Sequence, residues 1–188
     1  EALLKFCHQH KISSVHCNRE HGVNERQRDR AAYSLLKDQG ISLTGHHGGT
    51  LLVPGTVKTG ADQFYRVFTP FSKACKEILR TAPYRLSKAP AKQKAGLLPS
   101  SDPLPDQMPG WSKPEKHLQE GWPASSHEAD LRLQTFVENK ISKYQLNRDF
   151  PAIAGTSTLS PYLAAGLVSA GQCLYAAMQV NQGETSSG

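Results

Sequence analysis

The distribution of proline does most to restrict the possible folds of this sequence. Eight of its twelve prolines lie between residues 81 and 125, where the periodic apolar pattern also disappears. Proline fixes its own backbone and lacks an N–H, so a dense run of prolines favours an extended connection over a helix or a strand. A connection of this length usually joins structured regions. We therefore predict two folded parts, residues 1–80 and 126–188, with an interdomain linker at 81–125.

The charge of the chain permits a polyanionic partner such as DNA. The formal net charge is +6 and the pI is near 9.2. Basic composition alone discriminates poorly, because it is common among proteins that bind no nucleic acid. The early linker carries several basic side chains with no acidic residue between them, and we interpret it as a solvated basic loop. These residues are Arg85, Lys88, Lys92 and Lys94.

The first part shows the alternation of strand and helix that is typical of a parallel α/β sheet. A short β-prone run at residues 12–17 predicts a buried strand. A helix follows, with Asn24 as its N-cap and Gln27 as the capping-box partner, and Gly40 ends it. A second strand is predicted at residues 50–53. The apolar stripe of the helix comprises Ala31, Ala32, Leu35 and Leu36.

Aromatic and apolar residues between 64 and 79 predict a further helix that is interrupted at Pro70. Thr69 can cap a new helix there, with Pro70 at its first position. We expect this aromatic stripe to pack in a core or at a domain interface, because such stripes are mostly buried.

The second part is predicted to be helical. Ser125 and Glu128 form a capping-box pair at the start of one helix, and Ser169 and Gln172 repeat the pattern at the start of another. The last eight residues are polar and are expected to fray. Apolar residues recur at helical spacing after Ser125 and predict a buried face; they are Leu133, Phe136, Val137, Ile141 and Tyr144.

A turn rich in hydroxyl groups lies between these two helices. Thr156, Ser157, Thr158 and Ser160 place four hydroxyls within five residues. Ser160 is a good N-cap, and Pro161 follows where proline favours the first helical position. The start of a helix leaves N–H donors unsatisfied and carries a partial positive charge, which suits a phosphate group. A capped helix without a ligand also fits these residues and, on local chemistry alone, is the commoner case.

Three segments resemble segments of the DNA photolyase and cryptochrome family, most closely the bacterial folate-type cyclobutane-dimer photolyases. TSTLSPYLAAGLVS, preceded by the run from Tyr144 to Pro151, resembles the flavin-phosphate segment. VNERQRDR resembles the folate-antenna segment, and LLVPGTVKTGADQFYRVFTPF resembles the end of the N-terminal domain. The resemblance implies an α/β plus α protein. Residues 1–80 would be the C-terminal part of a Rossmann-like parallel α/β domain, and residues 126–188 the start of an all-α FAD-binding domain.

The resemblance assigns a flavin role to the hydroxyl-rich turn. Its hydroxyls and backbone N–H groups would converge on a pyrophosphate. Many relatives carry a basic residue where Thr158 stands, so Thr158 departs from the family pattern. Arg148 would contact a DNA phosphate, with a surface ion pair to Asp149 as the alternative. The residues implied to contact FAD are Tyr144, Thr156, Ser157, Thr158, Leu159 and Ser160.

The resemblance also implies an antenna, 5,10-methenyltetrahydrofolate, held by Asn24 and Glu25. Glu25 could accept two N–H bonds from a pterin edge, and Asn24 could both donate and accept. Without the resemblance, Asn24 is simply a helix cap and Glu25 an acidic residue favoured in the first turn by the helix dipole.

The implied function is that of a light-driven deoxyribodipyrimidine photolyase. In such an enzyme reduced FAD donates an electron to a cyclobutane pyrimidine dimer flipped out of UV-damaged DNA. We expect only part of that machinery in this chain, with no catalytic residue, weak FAD binding and little repair. Two alternatives are a cryptochrome-like blue-light sensor without repair activity and a basic module that binds nucleic acid without flavin.

The remaining features predict an ordinary intracellular protein. The four cysteines are scattered and form no CxxC pair, which indicates free thiols in a reducing cytoplasm. The histidines and cysteines lack zinc-site spacing, so we expect no metal site; His46 and His47 are interpreted as a turn leading into the second strand. No apolar run approaches the ~20 residues of a membrane span, and the first residues do not resemble a signal peptide. We expect a cytoplasmic monomer with no membrane partner.

Overall fold

The computed structural model describes residues 1–82, 86–88, 90–92 and 100–180. They divide into two compact units, one formed by the residues up to 82 and the other by those from 86 onwards. The basic linker residues Arg85 and Lys94 and the predicted polar tail lie outside the described residues. Among those that are described, no helix is long and apolar enough to cross a membrane.

The first unit contains a parallel strand–helix–strand arrangement. Its elements are α1 (Ala2–Gln9), β1 (Ser14–Asn18), α2 (Val23–Lys37), β2 (Ser42–His46) and α3 (Phe68–Thr81). Strands β1 and β2 pair in parallel, with Ser14 opposite Ser42 and Asn18 opposite His46. A crossover helix between two adjacent parallel strands is the basic α/β unit, so the predicted α/β class is confirmed.

The predicted position of the second strand is wrong. Strand β2 occupies Ser42–His46, whereas residues 50–53 form bends and no ladder. The sequence of β2 is polar, and of its five residues only Leu43 is a large apolar one. Backbone pairing with β1 selects this segment, because a strand is stabilised by its neighbour more than by its own composition.

Helix α2 begins earlier than its sequence predicts. Gly22 is the N-cap, and Asn24 lies inside the first turn with no capping hydrogen bond from its side chain. The predicted capping box of Asn24 and Gln27 is therefore wrong. The Glu25 side chain folds back over Gly22 and occupies the space that a Cβ atom there would need. Glycine at this position lets that carboxylate lie against the helix start, where the dipole favours negative charge.

Helix α3 starts at Phe68 and continues through Pro70, so the predicted helical pattern over residues 64–67 and the predicted interruption at Pro70 are wrong. Val67 is its N-cap, so Thr69 and Pro70 are the second and third helical residues and the Thr69 cap is wrong. Proline is tolerated in a first turn, because its missing N–H would have had no intrahelical partner. None of the residues of α3 is buried within the described chain, and Phe68 remains 77% exposed.

The core of the first unit is small and centred on helix α2. Cys7, Leu36 and Ile41 are buried together, and partly buried residues of β1 and β2 pack against them. Leu36 is only 1% exposed, whereas the adjacent Leu35 is 37% exposed. Both leucines belong to the predicted apolar stripe, yet only Leu36 reaches the centre, because the inner face of the helix is narrower than the stripe.

The second unit is built from short helices. They are α4 (Lys116–Gly121), α5 (Ser126–Asn139), α6 (Tyr144–Asn147), α7 (Ser160–Ala164) and α8 (Ala170–Val180), with a 3₁₀ turn at Ile141–Lys143. Helix α4 lies within the segment predicted as an extended linker, so that prediction is wrong over Lys116–Gly121. The core is formed by Ala129, Leu133, Leu159, Tyr162 and Val168.

Two of the predicted helix starts in this unit are observed. The Ser125 hydroxyl accepts a hydrogen bond from the Glu128 N–H at 3.1 Å, although the Glu128 carboxylate turns to Arg132 instead of completing the box. Ser169 and Gln172 form the full reciprocal pair. A capping hydrogen bond of this kind stabilises a helix start by about 1 kcal/mol.

All four cysteines are free thiols. Cys173 of helix α8 packs against the core of the second unit. Burial raises the pKa of its thiol, because the thiolate would lose hydration there. Cys173 is therefore held in its protonated, less nucleophilic form.

We expect Leu36→Ala to destabilise the first unit by about 2–4 kcal/mol, since it removes a fully buried side chain and leaves a cavity. The matched control is Leu35→Ala on the same helix, where partial exposure limits the expected loss to about 1 kcal/mol. Denaturant unfolding followed by circular dichroism measures both. Equal losses in the two variants would show that the core is not centred on Leu36.

Candidate functional site

The hydroxyl-rich turn lies immediately before helix α7. The N-cap of this helix is Leu159, so Ser160 is its first helical residue and Pro161 its second, and no side chain caps it. The predicted N-cap role of Ser160 is therefore wrong. Leu159 is 4% exposed and belongs to the core. Burying this side chain fixes where the helix starts, and this overrides the local preference of serine for the cap.

The other side chains of the turn face outwards. Thr156, Thr158 and Ser160 are exposed and Ser157 is half-buried, while Leu159 points into the core. None of the four hydroxyl side chains is therefore packed in the interior. The turn therefore leaves several hydrogen-bonding groups accessible to a ligand, and a phosphate needs donors of this kind close together.

Gly155, immediately before the turn, packs against Asn147 at the end of helix α6. It is buried, and a Cβ atom at this position would lie 2.6 Å from Asn147 Cβ and 3.2 Å from the Asn147 backbone carbon. Only glycine permits so close an approach. Helix α6 starts at Tyr144 and ends next to Arg148, so this contact sets the spacing between the turn and both of these predicted site residues.

Tyr144, the first residue of helix α6, packs against a side chain of helix α5. Its ring packs edge-on against Phe136, with centroids 5.6 Å apart, and it is 38% exposed. Within the described part of the second unit, no hydrogen bond or ring contact links Tyr144 to the turn. The Tyr144 ring is therefore accessible to a ligand, and neither a hydrogen bond nor a ring contact ties it to the described residues of the turn.

Thr158 has an unusual backbone conformation. Its φ is +53°, in the left-handed region, which is a genuine outlier for a β-branched residue. Its hydroxyl donates to the Ser157 carbonyl at 2.7 Å, and Arg132 Nη1 donates to the same hydroxyl oxygen at 3.4 Å. The turn is thus held in a shape that threonine does not adopt by preference.

Arg132 is the residue at this site that the sequence analysis missed. Its Nε donates to Glu128 at 2.6 Å and its Nη2 to the Gly121 carbonyl at 2.6 Å. The guanidinium also lies over the rings of Trp122 and Tyr162, 4.8 and 5.3 Å from their centroids. The spacing of Glu128 and Arg132 on one helix face could have suggested their ion pair, but no local pattern indicates the contacts to Trp122, Tyr162 or the turn.

The position of Arg148 is compatible with both of its predicted roles, a contact to a DNA phosphate and a surface ion pair with Asp149. It is exposed at the end of helix α6, and its Nε lies 3.6 Å from the Asp149 carboxylate. An exposed pair at this distance contributes little to stability. The guanidinium is therefore able to exchange this partner for a phosphate oxygen.

The predicted antenna residues lie at the start of helix α2. Asn24 is exposed and Glu25 is half-buried. A cavity of about 730 Å³ adjoins the same helix, but neither residue is among those that line it. Its charged lining has three arginines against two carboxylates, a small positive excess that suits an anionic ligand; these are Arg19, Arg26 and Arg30 against Glu20 and Asp29.

Two histidine pairs lie near the ends of the strands. His16 Nδ1 and His46 Nε2 are 2.9 Å apart, and the rings of His21 and His47 stack with centroids 6.0 Å apart. The predicted turn leading into the second strand is wrong, because His46 is the last residue of β2 and His47 follows directly after it. The described residues contain no group of three or more side chains placed to bind a metal ion.

Comparison with known proteins identifies the family. The family model for DNA photolyase matches residues 1–93. The deoxyribodipyrimidine photo-lyase of Escherichia coli is 32% identical over 175 residues, which cover 93% of this chain and 36% of that protein. The chain belongs to the DNA photolyase family, as the sequence resemblance predicted. It spans about a third of the length of the curated relatives it matches.

Solved structures show the same fold. A bacterial class III photolyase from Agrobacterium tumefaciens aligns with a TM-score of 0.72 and 26% identity, covering 98% of this chain and 39% of that one. A cryptochrome from Synechocystis aligns with a TM-score of 0.71 and 21% identity, covering 97% of this chain and 39% of that one. The second likeness bears on the fold alone.

Replacing Thr158 and Thr156 separately by glycine tests the backbone strain in the turn. A left-handed conformation costs an L-residue about 1–2 kcal/mol, and glycine adopts it freely. Thr156 has no such φ, so Thr156→Gly carries only the ordinary entropic cost of glycine. We expect Thr158→Gly to be the more stable variant by about 1–2 kcal/mol in thermal unfolding. If Thr156→Gly were equally or more stable, Thr158 would not be strained.

Proposed function

We propose that the chain forms part of a light-driven deoxyribodipyrimidine photo-lyase and carries the phosphate side of its FAD site. Membership of the DNA photolyase family supports this proposal, as does the outward-facing hydroxyl turn that ends in a buried leucine. The exposed hydroxyls of the turn are the main support for this proposal, because the two phosphates of a flavin dinucleotide must be bound by several donors at short range.

The residues present fit such a group. Thr156, Ser157 and Ser160 would donate through their hydroxyls, and Leu159 would donate through its backbone N–H while its side chain stays in the core. Tyr144, with an accessible ring, would lie beside the flavin. When bound, FAD supplies the electron for repair; the protein positions the cofactor and excludes water and competing reactions.

The first unit would hold an antenna. We assign Asn24 and Glu25 to 5,10-methenyltetrahydrofolate, on the resemblance of their segment. The half-buried carboxylate of Glu25 lies against the start of helix α2, where it could accept two N–H bonds from a pterin edge.

UV-damaged DNA would be the substrate. Arg148 would contact a DNA phosphate, because it is exposed and its bond to Asp149 is long. A cryptochrome-like light sensor without repair activity is the second candidate, because the sequence segments resemble photolyases and cryptochromes as one family. An assay for repair of cyclobutane dimers by the longest open reading frame that contains this chain separates the two, since a sensor would leave the dimers intact.

We expect this chain alone to bind FAD weakly, because one phosphate-side turn cannot cover the 70–90% or more of a ligand's surface that a closed site buries. Fluorescence titration should show that Thr156→Ala and Ser157→Ala each weaken the binding about fivefold, corresponding to ~1 kcal/mol per lost hydrogen bond. The control is Thr135→Ala, an exposed threonine of helix α5. A purified chain that retained equimolar flavin would contradict weak binding, and equal effects of all three variants would contradict the assigned site.

Arg148→Ala should weaken binding of a UV-irradiated duplex and reduce the slope of log K against log salt by about 1, as expected for one lost phosphate contact. The matched control is Arg80→Ala, because Arg80 is also an exposed arginine paired with a nearby acid, Glu77. Fluorescence anisotropy at several salt concentrations measures both. If the two variants behaved alike, the Arg148 side chain would be no more than a surface ion-pair partner.

A further inference from the structure

The guanidinium of Arg132 is fixed far more firmly than a surface arginine. The side chains of Arg132 and Glu128 are only 21% and 23% exposed, and their ion pair is short at 2.6 Å. A second short bond runs from Nη2 to the Gly121 carbonyl, and the plane lies over the Trp122 ring. An arginine held by a carboxylate, a carbonyl and an aromatic face keeps one geometry, because its planar fork satisfies all three at once.

The remaining nitrogen of this fixed group points to the hydroxyl-rich turn. Within the described part of the chain, the one hydrogen bond of Nη1 goes to the Thr158 hydroxyl, 3.4 Å away and 26 residues along the chain. Thr158 is also the residue with the left-handed φ of +53°. The firmly held guanidinium of Arg132 therefore contacts Thr158, the residue of the turn with the strained backbone.

Strain of this kind persists only where the surroundings hold it in place. Leu159 anchors one side of Thr158 by its burial in the core. The Thr158 hydroxyl is held on the other side by the Ser157 carbonyl and by Arg132. Leu159 connects the turn to helix α5 by packing against Ala129 and Leu133. Arg132 also connects the turn to helix α5, and its bond to the Gly121 carbonyl extends this connection to the end of helix α4.

We propose that Arg132 is a positioning residue that keeps Thr158 in its left-handed conformation and thereby sets the affinity of the turn for the phosphates of FAD. This inference rests on the proposed flavin site. Arg132 acts through Thr158: its Nε and Nη2 are committed to Glu128 and Gly121. A purely structural role would instead confine its effect to the contacts between helices α4 and α5.

A double-mutant cycle separates these two roles. The variants are Arg132→Gln, Thr158→Gly and the pair combined, with Glu128→Gln as a control that weakens the ion pair but keeps the guanidinium. The backbone φ of residue 158 is measured by NMR scalar couplings, and FAD affinity is measured by fluorescence titration. Arg132→Lys is added because it keeps the charge and loses the planar fork.

We expect Arg132→Gln and Arg132→Lys to shift residue 158 out of the left-handed region and to weaken FAD binding about tenfold, a loss of ~1.4 kcal/mol. In the Thr158→Gly background the loss should fall below about threefold, since glycine populates the left-handed region without support. Glu128→Gln should leave φ at residue 158 unchanged.

Two results would overturn the proposal. One is a residue 158 that stays left-handed in Arg132→Gln, and the other is an equal loss of FAD affinity with threonine and with glycine at position 158. If the unmodified chain bound no FAD at all, the proposed flavin site would fail and the affinity part of this inference with it. The couplings would still decide whether Arg132 positions Thr158.

Discussion

Burial of Leu159 and Tyr162 is the constraint on which the second unit depends. Both side chains lie in the core with Ala129 and Leu133 of helix α5. Because Leu159 points inwards, the residues immediately before it must reverse direction at the surface. The exposed hydroxyls of the turn are thus a consequence of apolar packing, and the free energy of burial holds polar groups in an arrangement that they would not adopt alone.

The first unit follows a comparable logic on a smaller scale. Leu36 brings helix α2 onto the two parallel strands, and Cys7 and Ile41 complete the contact. This core leaves much of the apolar surface of the unit uncovered in the described residues, including Phe68 and most of helix α3. The matched relatives in the DNA photolyase family are about three times as long as this chain, so they contain further chain that can cover such apolar surfaces.

Sequence predicted best where a structural signal was local. The capping pair of Ser169 and Gln172 needs only residues three apart, and it is observed as predicted. The predicted position of the second strand is wrong because pairing with β1 selects β2. The polar sequence of β2 gives no sign of that pairing. The start of helix α7 was misplaced for a related reason, since the buried Leu159 outweighs the capping preference of Ser160. The contact of Arg132 with the turn could not be predicted, because its partners Gly121 and Trp122 lie in one distant segment and Thr158 lies in another.

The close contact of Gly155 with Asn147 has a mechanical meaning. A side chain at position 155 would collide with Asn147, so the two segments can lie this close only because glycine has no Cβ atom. A displacement of the segment bearing Tyr144 and Arg148 towards the turn would therefore act directly, through this contact, on the segment that leads into the hydroxyls.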